Sequence, residues 1–209
     1  MRFIFVSFDH DSFLEKIRHI SIDFTLVILL ILMRKLTHAE ILGERLTPQE
    51  AMHISRNPVS LIASNIRSMY NVGSLFRTCD SARAAELMLC GFTPSPPRKE
   101  ILKTALGSVD SVPWKYFEST LEAIKYQKEK NIKVIAVELT NKKRSYSSLE
   151  KKEYPLCLVV GNELSGLDDE VVAACDDAIE IPMHGVKHSL NVSVASGIVL
   201  FEAIRIWHL

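Results

Sequence analysis

Leu156-Cys-Leu-Val-Val160 runs without a polar interruption into Gly161-Asn162-Glu163-Leu-Ser-Gly166, and then into Leu167-Asp168-Asp-Glu170. Five consecutive apolar residues stopped by a glycine read as a strand buried on both faces, because a strand with one wet face alternates. The acids that follow suit the positive end of a helix dipole, so Asp168–Cys175 reads as a short helix. The same grammar extends in both directions. Upstream lie a strand at Lys133–Val137, a mixed-charge helix at Ser119–Lys130 and a buried strand at Glu86–Cys90. Before these come a helix at Val72–Ala82 with Asn71 as its N-cap, and a strand at Val59–Ala63. Downstream lie a strand at Ala178–Ile181 and a last helix at Asn191–Trp207. Alternating strands and helices, with strands apolar on both faces, predict an α/β fold around a mainly parallel sheet.

Punctuation supports this division. Thr47-Pro48-Gln49-Glu50 is a capping box with proline at the first helical position, and its helix should stop before Pro58. Phe92–Arg98 (FTPSPPR) is a loop, since three prolines deny it a ladder or a helix. No internal repeat or low-complexity segment is present.

The chain has 209 residues, a length that fits one generous domain, and 47% apolar with 24% charged residues is a globular composition. Twenty-five basic residues balance 25 acidic ones, which argues against polybasic binding of nucleic acid while leaving room for a local basic patch. The four cysteines, Cys79, Cys90, Cys157 and Cys175, form no C-x-x-C pair and have no histidine at ligand spacing. Neither a disulfide framework nor a metal site is expected, and Cys90 and Cys157 read as buried thiols in a reducing cytoplasm. Phe24–Met33 (FTLVILLILM) is ten residues long, short of the roughly 20 that span a bilayer, so no membrane association is expected. Acids before it and Arg34-Lys35 after it speak against a signal peptide.

Common nucleotide motifs are missing. There is no G-x-G, and Leu167-Asp168 stands where a phosphate-binding loop after Gly161–Gly166 would need Lys-Ser/Thr. His184 and His188 are four apart without the glutamate of a zinc helix, and exposed loop histidines are the plain reading. What remains are three polar clusters at strand ends. Asn65–Asp80 contains Asn71, Gly73, Arg77 and Asp80, where Gly73 would allow a close backbone approach and Arg77 and Asp80 are neighbours one turn apart. A capped helix with an Arg–Asp pair explains this cluster if taken alone. Gly161–Gly166 is the second cluster, and Ile181 to Ala195, with Ser189-Leu-Asn191, is the third. Ligands of open α/β sheets sit beyond the carboxyl ends of the strands, so the clusters are expected to converge on one pocket.

In this order the clusters resemble the three motifs of the SpoU/TrmH family of SPOUT RNA methyltransferases. The resemblance runs from about Met33 to Trp207 and includes the connecting segments Lys103–Ser108, Val112-Pro-Trp114 and Val137–Thr140. It implies a SPOUT-type parallel sheet with a C-terminal trefoil knot, which chain-topology rules alone would not suggest. It also implies a homodimer formed through the C-terminal helix and knot region. The implied activity is transfer of a methyl group from S-adenosylmethionine to a ribose 2′-oxygen in tRNA or rRNA. A non-catalytic RNA-binding module on the same fold is the alternative.

Carried over by motif position, Asn71, Arg77, Glu163, Ser189 and Asn191 resemble the catalytic residues. The cofactor pocket corresponds to Leu139, Gly161, Ile181, Met183 and Leu190, with Gly107 as a further candidate. A ribose hydroxyl is a poor nucleophile, so such a site must align it and help it lose its proton. Arg77 could act as the base or hold the adjacent phosphate, and both roles stay open here. Together with Arg77, the basic run Lys142-Lys143-Arg144 is a candidate RNA backbone contact. The family commonly has a glycine where this chain has Arg83, which reads as a tolerated surface residue or else an added phosphate contact, and this departure together with the neutral charge motivates the non-catalytic alternative. The final helix is apolar nearly all round and needs cover on several sides.

Because the resemblance begins at Met33, residues 1–32 are expected to be an upstream extension, untranslated if the natural protein's mass starts at Met33. Without their three basic and four acidic residues the balance is 22 against 21, so near-neutrality survives.

Overall fold

A computed structural model of the chain describes residues 34–44 and 46–209. The apolar run Phe24–Met33 and the boundary drawn at Met33 lie outside them. The chain divides into two compact units, Met1–Arg45 and Leu46–Leu209. In the first, helix α1 (His38–Gly43) starts at a capping box between Thr37 and Glu40, and Glu40 also pairs with Arg34 at 2.7 Å.

The second unit holds the sheet. Its elements are α2 (Pro48–His53), β1 (Val59–Ser64), α3 (Met69–Ser81), β2 (Leu87–Cys90), α4 (Lys99–Ala105), β3 (Trp114–Phe117) and α5 (Thr120–Glu129). There follow β4 (Lys133–Val137), β5 (Leu156–Val160), α6 (Asp169–Ala174), β6 (Asp177–Ile179) and α7 (Val192–Trp207). Helix α2 opens with the expected capping box of Thr47 and Glu50. The six strands are ordered β3-β2-β1-β5-β4-β6, and every pairing is parallel. All carboxyl ends therefore meet one edge of the sheet, and the chain order reverses between β1 and β5.

Period-two side-chain placement divides the central strands between two cores. Leu61, Leu89, Leu158 and Ile135 pack with Val72, Leu75 and Phe76 of α3 and with Val199, Leu200 and Ala203 of α7. Ile62, Met88, Val159 and Ala136 face the other way, onto Ala123 and Ile124 of α5 and Val171 of α6. Burial on both faces is why β5 carries no alternation. Cys90 and Cys157 are buried free thiols as expected, and burial pushes the Cys90 thiol up to about 12.

Several sequence expectations are corrected. Helix α3 starts three residues earlier than Val72, because the Ser68 hydroxyl accepts the Asn71 N–H at 3.3 Å and serves as the N-cap. Asn71 is thus inside the first turn, and its side chain is released for other work. The expected Arg77–Asp80 pair does not form; Asp80 accepts a hydrogen bond from the Ser111 hydroxyl instead. Strand β6 ends at Ile179, not Ile181, with Glu180 adding only a bridge to Ser145. Helix α4 and strand β3 had no clear sequence signal. The seven residues of α4 lack a side-chain cap, and β3 is an edge strand without a fully buried residue.

Gly73 does mark a close approach. A Cβ there would lie 1.9 Å from Thr104 Oγ1 and 2.4 Å from the Ile101 carbonyl oxygen of α4. Arg83 has φ +46°, the left-handed region that favours glycine, and its carbonyl accepts the Asn57 N–H at 2.9 Å. Glycine would take this backbone freely, whereas Arg83 adopts it with some strain.

Candidate active site

The site forms where the strand order reverses. After β1 the chain turns through Asn65 (φ +55°) into α3, while β5 leads directly into the Gly161–Gly166 loop. Asn162 closes this loop. Its backbone exchanges two hydrogen bonds of 3.0 Å with Gly166, and its side-chain oxygen accepts from Leu164 N at 2.9 Å and Ser165 N at 3.2 Å. Its amide also donates to the Asn65 carbonyl at 2.7 Å, which ties the loop to β1. A Cβ on Gly161 would lie 2.4 Å from the Gly166 carbonyl carbon, so this glycine spacing reflects backbone contact and not a phosphate cradle.

Glu163 points from this loop to the N-terminus of α3. Its carboxylate accepts hydrogen bonds from Arg67 N at 2.9 Å, Ser68 N at 3.1 Å and Asn71 Nδ2 at 2.8 Å. Burial alone would raise its carboxyl, but these donors at a helix N-terminus outweigh it and hold the group below the usual range. Asn71 Oδ1 then accepts from Asn191 Nδ2 at 3.2 Å. Asn191 in turn caps α7, its Oδ1 accepting from Ser193 N at 2.9 Å and Ser193 Oγ at 2.6 Å. Each amide has a single orientation in this chain of donors and acceptors. Glu163, Asn71 and Asn191, one from each polar cluster, are therefore joined in series, as convergence of the strand ends predicts.

Beside this chain opens a cavity of about 310 Å³. Leu139, Gly161, Ile181, Met183 and Leu190 all line it, as do Glu163 and Ser189. Gly107 does not; it lies beyond α4 with open space around it. Leu139 and Leu190 keep 50% and 39% of their surface exposed, so two aliphatic side chains stand uncovered at the cavity. Aliphatic side chains beside polar ones such as Glu180, His188 and Ser189 suit a flat heteroaromatic ring with a polar tail, and the volume falls within the ligand-pocket range. The residues present thus fit an adenine-bearing cofactor. Ser189 is exposed and makes no hydrogen bond among the described residues, so its hydroxyl remains available.

The candidate cations divide. Arg77 is exposed on α3 and forms no ion pair among the described residues. It lines a second groove, with Lys103, Ser74, Thr78 and Phe201, and not the first cavity. Lys142 and Lys143 are exposed. Arg144 is not a free cation: it binds Asp177 and Glu153, each at 2.6 Å, and holds internal structure together.

Glu138, Glu180 and His188 line the cavity and escaped the sequence reading of the site. Glu138, directly after β4, accepts from Leu139 N at 2.9 Å and Leu167 N at 3.0 Å, and so bridges the two loops that bound the cavity. A Cβ on Gly166 (φ +70°) would fall 2.4 Å from its Oε2. The signal was an acid at the carboxyl end of an apolar strand, the rule that drew attention to Glu163.

Residues 58–201 match the model of the SpoU rRNA Methylase family. The chain is 32% identical over 155 residues to a 23S rRNA (guanosine-2'-O-)-methyltransferase of Vibrio vulnificus, a match spanning 74% of this chain and 61% of that protein. It is 30% identical over 157 residues to a tRNA (guanosine(18)-2'-O)-methyltransferase of Thermus thermophilus, covering 75% and 79%. Among solved structures, an AdoMet-bound rRNA methyltransferase from Sinorhizobium meliloti superimposes with a TM-score of 0.68 at 32% identity, over 79% of this chain and 62% of that one. The A. aeolicus TrmH/SpoU tRNA modifying enzyme gives 0.69 at 28%, over 77% and 81%. The chain thus spans about three-fifths of the Vibrio and Sinorhizobium proteins and about four-fifths of the Thermus and A. aeolicus ones.

Proposed function

Because the chain belongs to the SpoU rRNA methylase family, we propose that it is an RNA methyltransferase that transfers a methyl group from S-adenosylmethionine to a ribose 2′-oxygen of tRNA or rRNA. The observation that carries this reading is the series Glu163–Asn71–Asn191, one residue from each motif, which begins at a cavity lined by Glu163, Leu139, Ile181 and Leu190. S-adenosylmethionine supplies an electrophilic methyl on sulfur. When bound, it would give up that methyl to the ribose 2′-oxygen with cleavage of its carbon–sulfur bond, while the hydroxyl proton would pass to solvent.

The chain's residues divide the work. Leu139, Ile181, Met183 and Leu190, with the backbone at Gly161, hold the cofactor. Ser189, with its hydroxyl unengaged, hydrogen-bonds the reacting groups. Glu163 is a positioning residue, since its carboxylate is spent on α3 and on Asn71. Asn71 and Asn191 keep the motifs in register. Arg77 clamps the phosphate beside the target ribose; a guanidinium does not deprotonate in proteins, so we assign it binding and not base work. Lys142 and Lys143 add backbone contacts.

We further infer a C-terminal trefoil knot and a cytoplasmic homodimer. Support for the dimer is the uncovered apolar surface of α7, where Val194 and Phe201 are 51% and 50% exposed, with Leu106 beside Phe201 in the second groove.

The test is incubation with labelled S-adenosylmethionine and total RNA, followed by alkaline hydrolysis. A labelled dinucleotide resistant to alkali is expected. Protein that binds the cofactor yet labels no RNA pool would overturn the reading.

A further inference from the structure

The turn Cys90-Gly91-Phe92-Thr93 leaves β2 on the same sheet edge as the site, and it is pinned on every side. Thr93 N donates to the Cys90 carbonyl at 3.2 Å, and Gly91 N to the Phe117 carbonyl at 3.1 Å. Phe92 N donates to Asn65 Oδ1 at 3.3 Å. The buried Thr93 hydroxyl donates to the Ala63 carbonyl at 3.1 Å and accepts from Ile66 N at 2.9 Å. Gly91 has φ +64°, and a Cβ there would lie 2.1 Å from Asn65 Oδ1. The Asn65 carbonyl is itself the acceptor for Asn162, next to Glu163. Turn and active-site loop therefore share one hydrogen-bonded frame.

On this frame stands Phe92, 61% exposed, with a ring that belongs to neither core. Tyr116 of the edge strand β3 donates its hydroxyl to the Gly91 carbonyl at 2.8 Å and remains 49% exposed beside the turn. A single exposed phenylalanine is ordinary. Two exposed rings on a fully anchored backbone are already ordered, so a partner would stack on them at little entropic cost. The segments that adjoin the turn carry three exposed cations without an ion pair among the described residues: Arg67, two residues after Asn65, and Arg98 and Lys99 at the end of the loop that Phe92 begins. Aromatic faces flanked by unpaired cations are the chemistry that binds single-stranded nucleic acid. In the sheet order β2 stands two places from β5, so the turn lies roughly 10 Å from the Glu163 loop at the usual strand spacing.

We propose that Phe92, with Tyr116 beside it, is a stacking platform for an unpaired base of the RNA substrate close to the methylated nucleotide, and that Arg67, Arg98 and Lys99 hold the phosphates of that strand. This rests on the RNA methyltransferase reading and adds that the substrate is single-stranded next to its target.

A short single-stranded oligoribonucleotide carrying 2-aminopurine tests it, with calorimetry of S-adenosylmethionine binding run in parallel. Wild-type protein should bind the probe and quench its fluorescence. Phe92→Ala should lower affinity by about 5- to 100-fold and abolish the quench, Phe92→Trp should retain both, and cofactor affinity should not change in either. Unchanged probe binding by Phe92→Ala overturns the platform. So does an altered sedimentation coefficient in Phe92→Ala with RNA affinity intact, which would assign the surface to a second copy of the chain. Wild-type protein that binds cofactor but not the probe also sinks the platform alone. Wild-type protein that binds neither cofactor nor any RNA removes the methyltransferase reading as well.

Discussion

Glu163 and Asn71 are 92 residues apart in the chain and 2.8 Å apart in the fold. The same carboxylate also takes the two backbone N–H groups that open α3, so one side chain both caps the helix and aims the asparagine. An anion at a helix N-terminus is favoured by unsatisfied donors and by the helix dipole.

Glu163→Gln keeps the shape but removes the charge and one acceptor. We expect a loss of about 1–2 kcal/mol in unfolding free energy, together with weakened methylation. The sign with pH follows from the lowered carboxyl. Its stabilisation is complete above the unfolded-state value and disappears as pH falls through the folded-state one. Denaturant midpoints across the acid range should therefore fall less steeply in Glu163→Gln than in wild type. Parallel pH curves would contradict this.

Glu153 makes a sharper acid probe away from the site. Burial raises its carboxyl, but hydrogen bonds from Arg144 and Lys133 overcome that and hold it at about 2. Its contribution should be intact near neutrality and be lost between the ordinary glutamate range and about 2. Glu153→Gln should be less stable than wild type at pH 7, and the difference should vanish in strong acid. Thermal melts at several pH values would reveal it.

Arg83→Gly relieves a left-handed backbone. The gain should be about 0.5–1 kcal/mol, less some unfolded-state entropy, with methylation unchanged. A drop in RNA affinity would instead assign Arg83 to the substrate.

Gly73→Ala should separate α3 from α4, because the added carbon meets the Ile101 backbone as well as Thr104. We expect about 2 kcal/mol or more of destabilisation. Thr104→Ala should not rescue it, since the backbone oxygen stays in place; full rescue would show that only the side chain was in the way.

Arg77→Ala should leave the melting temperature within the scatter of wild type, as the side chain is exposed and unpaired among the described residues. Methylation should fall by on the order of 100-fold, while calorimetry finds S-adenosylmethionine binding unaltered. Equal loss of cofactor affinity would point to a different role.

Much of the molecule was legible because its signals are local. Strands β4 and β5 were bounded correctly, since burial on both faces leaves continuous apolar runs. The capping box at Thr47 and the Asn191 cap are also local hydrogen-bonding patterns. The start of α3 was not legible, because Ser68 and Asn71 are both good caps and only tertiary contacts choose between them. Once Glu163 takes the Asn71 amide, Ser68 is left to close the helix. Helix α4 and edge strand β3 gain their order from Gly73 contact and from pairing with β2, neither of which leaves a periodic trace.

The sequence by itself determined a parallel α/β sheet and named the three polar clusters, because hydrophobic periodicity and strand-end chemistry are short-range properties of the chain. Tertiary structure decided what each polar residue does. Glu163 became a helix cap, Arg144 an internal ion-pair partner, and Arg77 an exposed cation outside the first cavity. Those outcomes depend on which acceptor lies within about 3 Å, a distance that only the folding of remote segments can set.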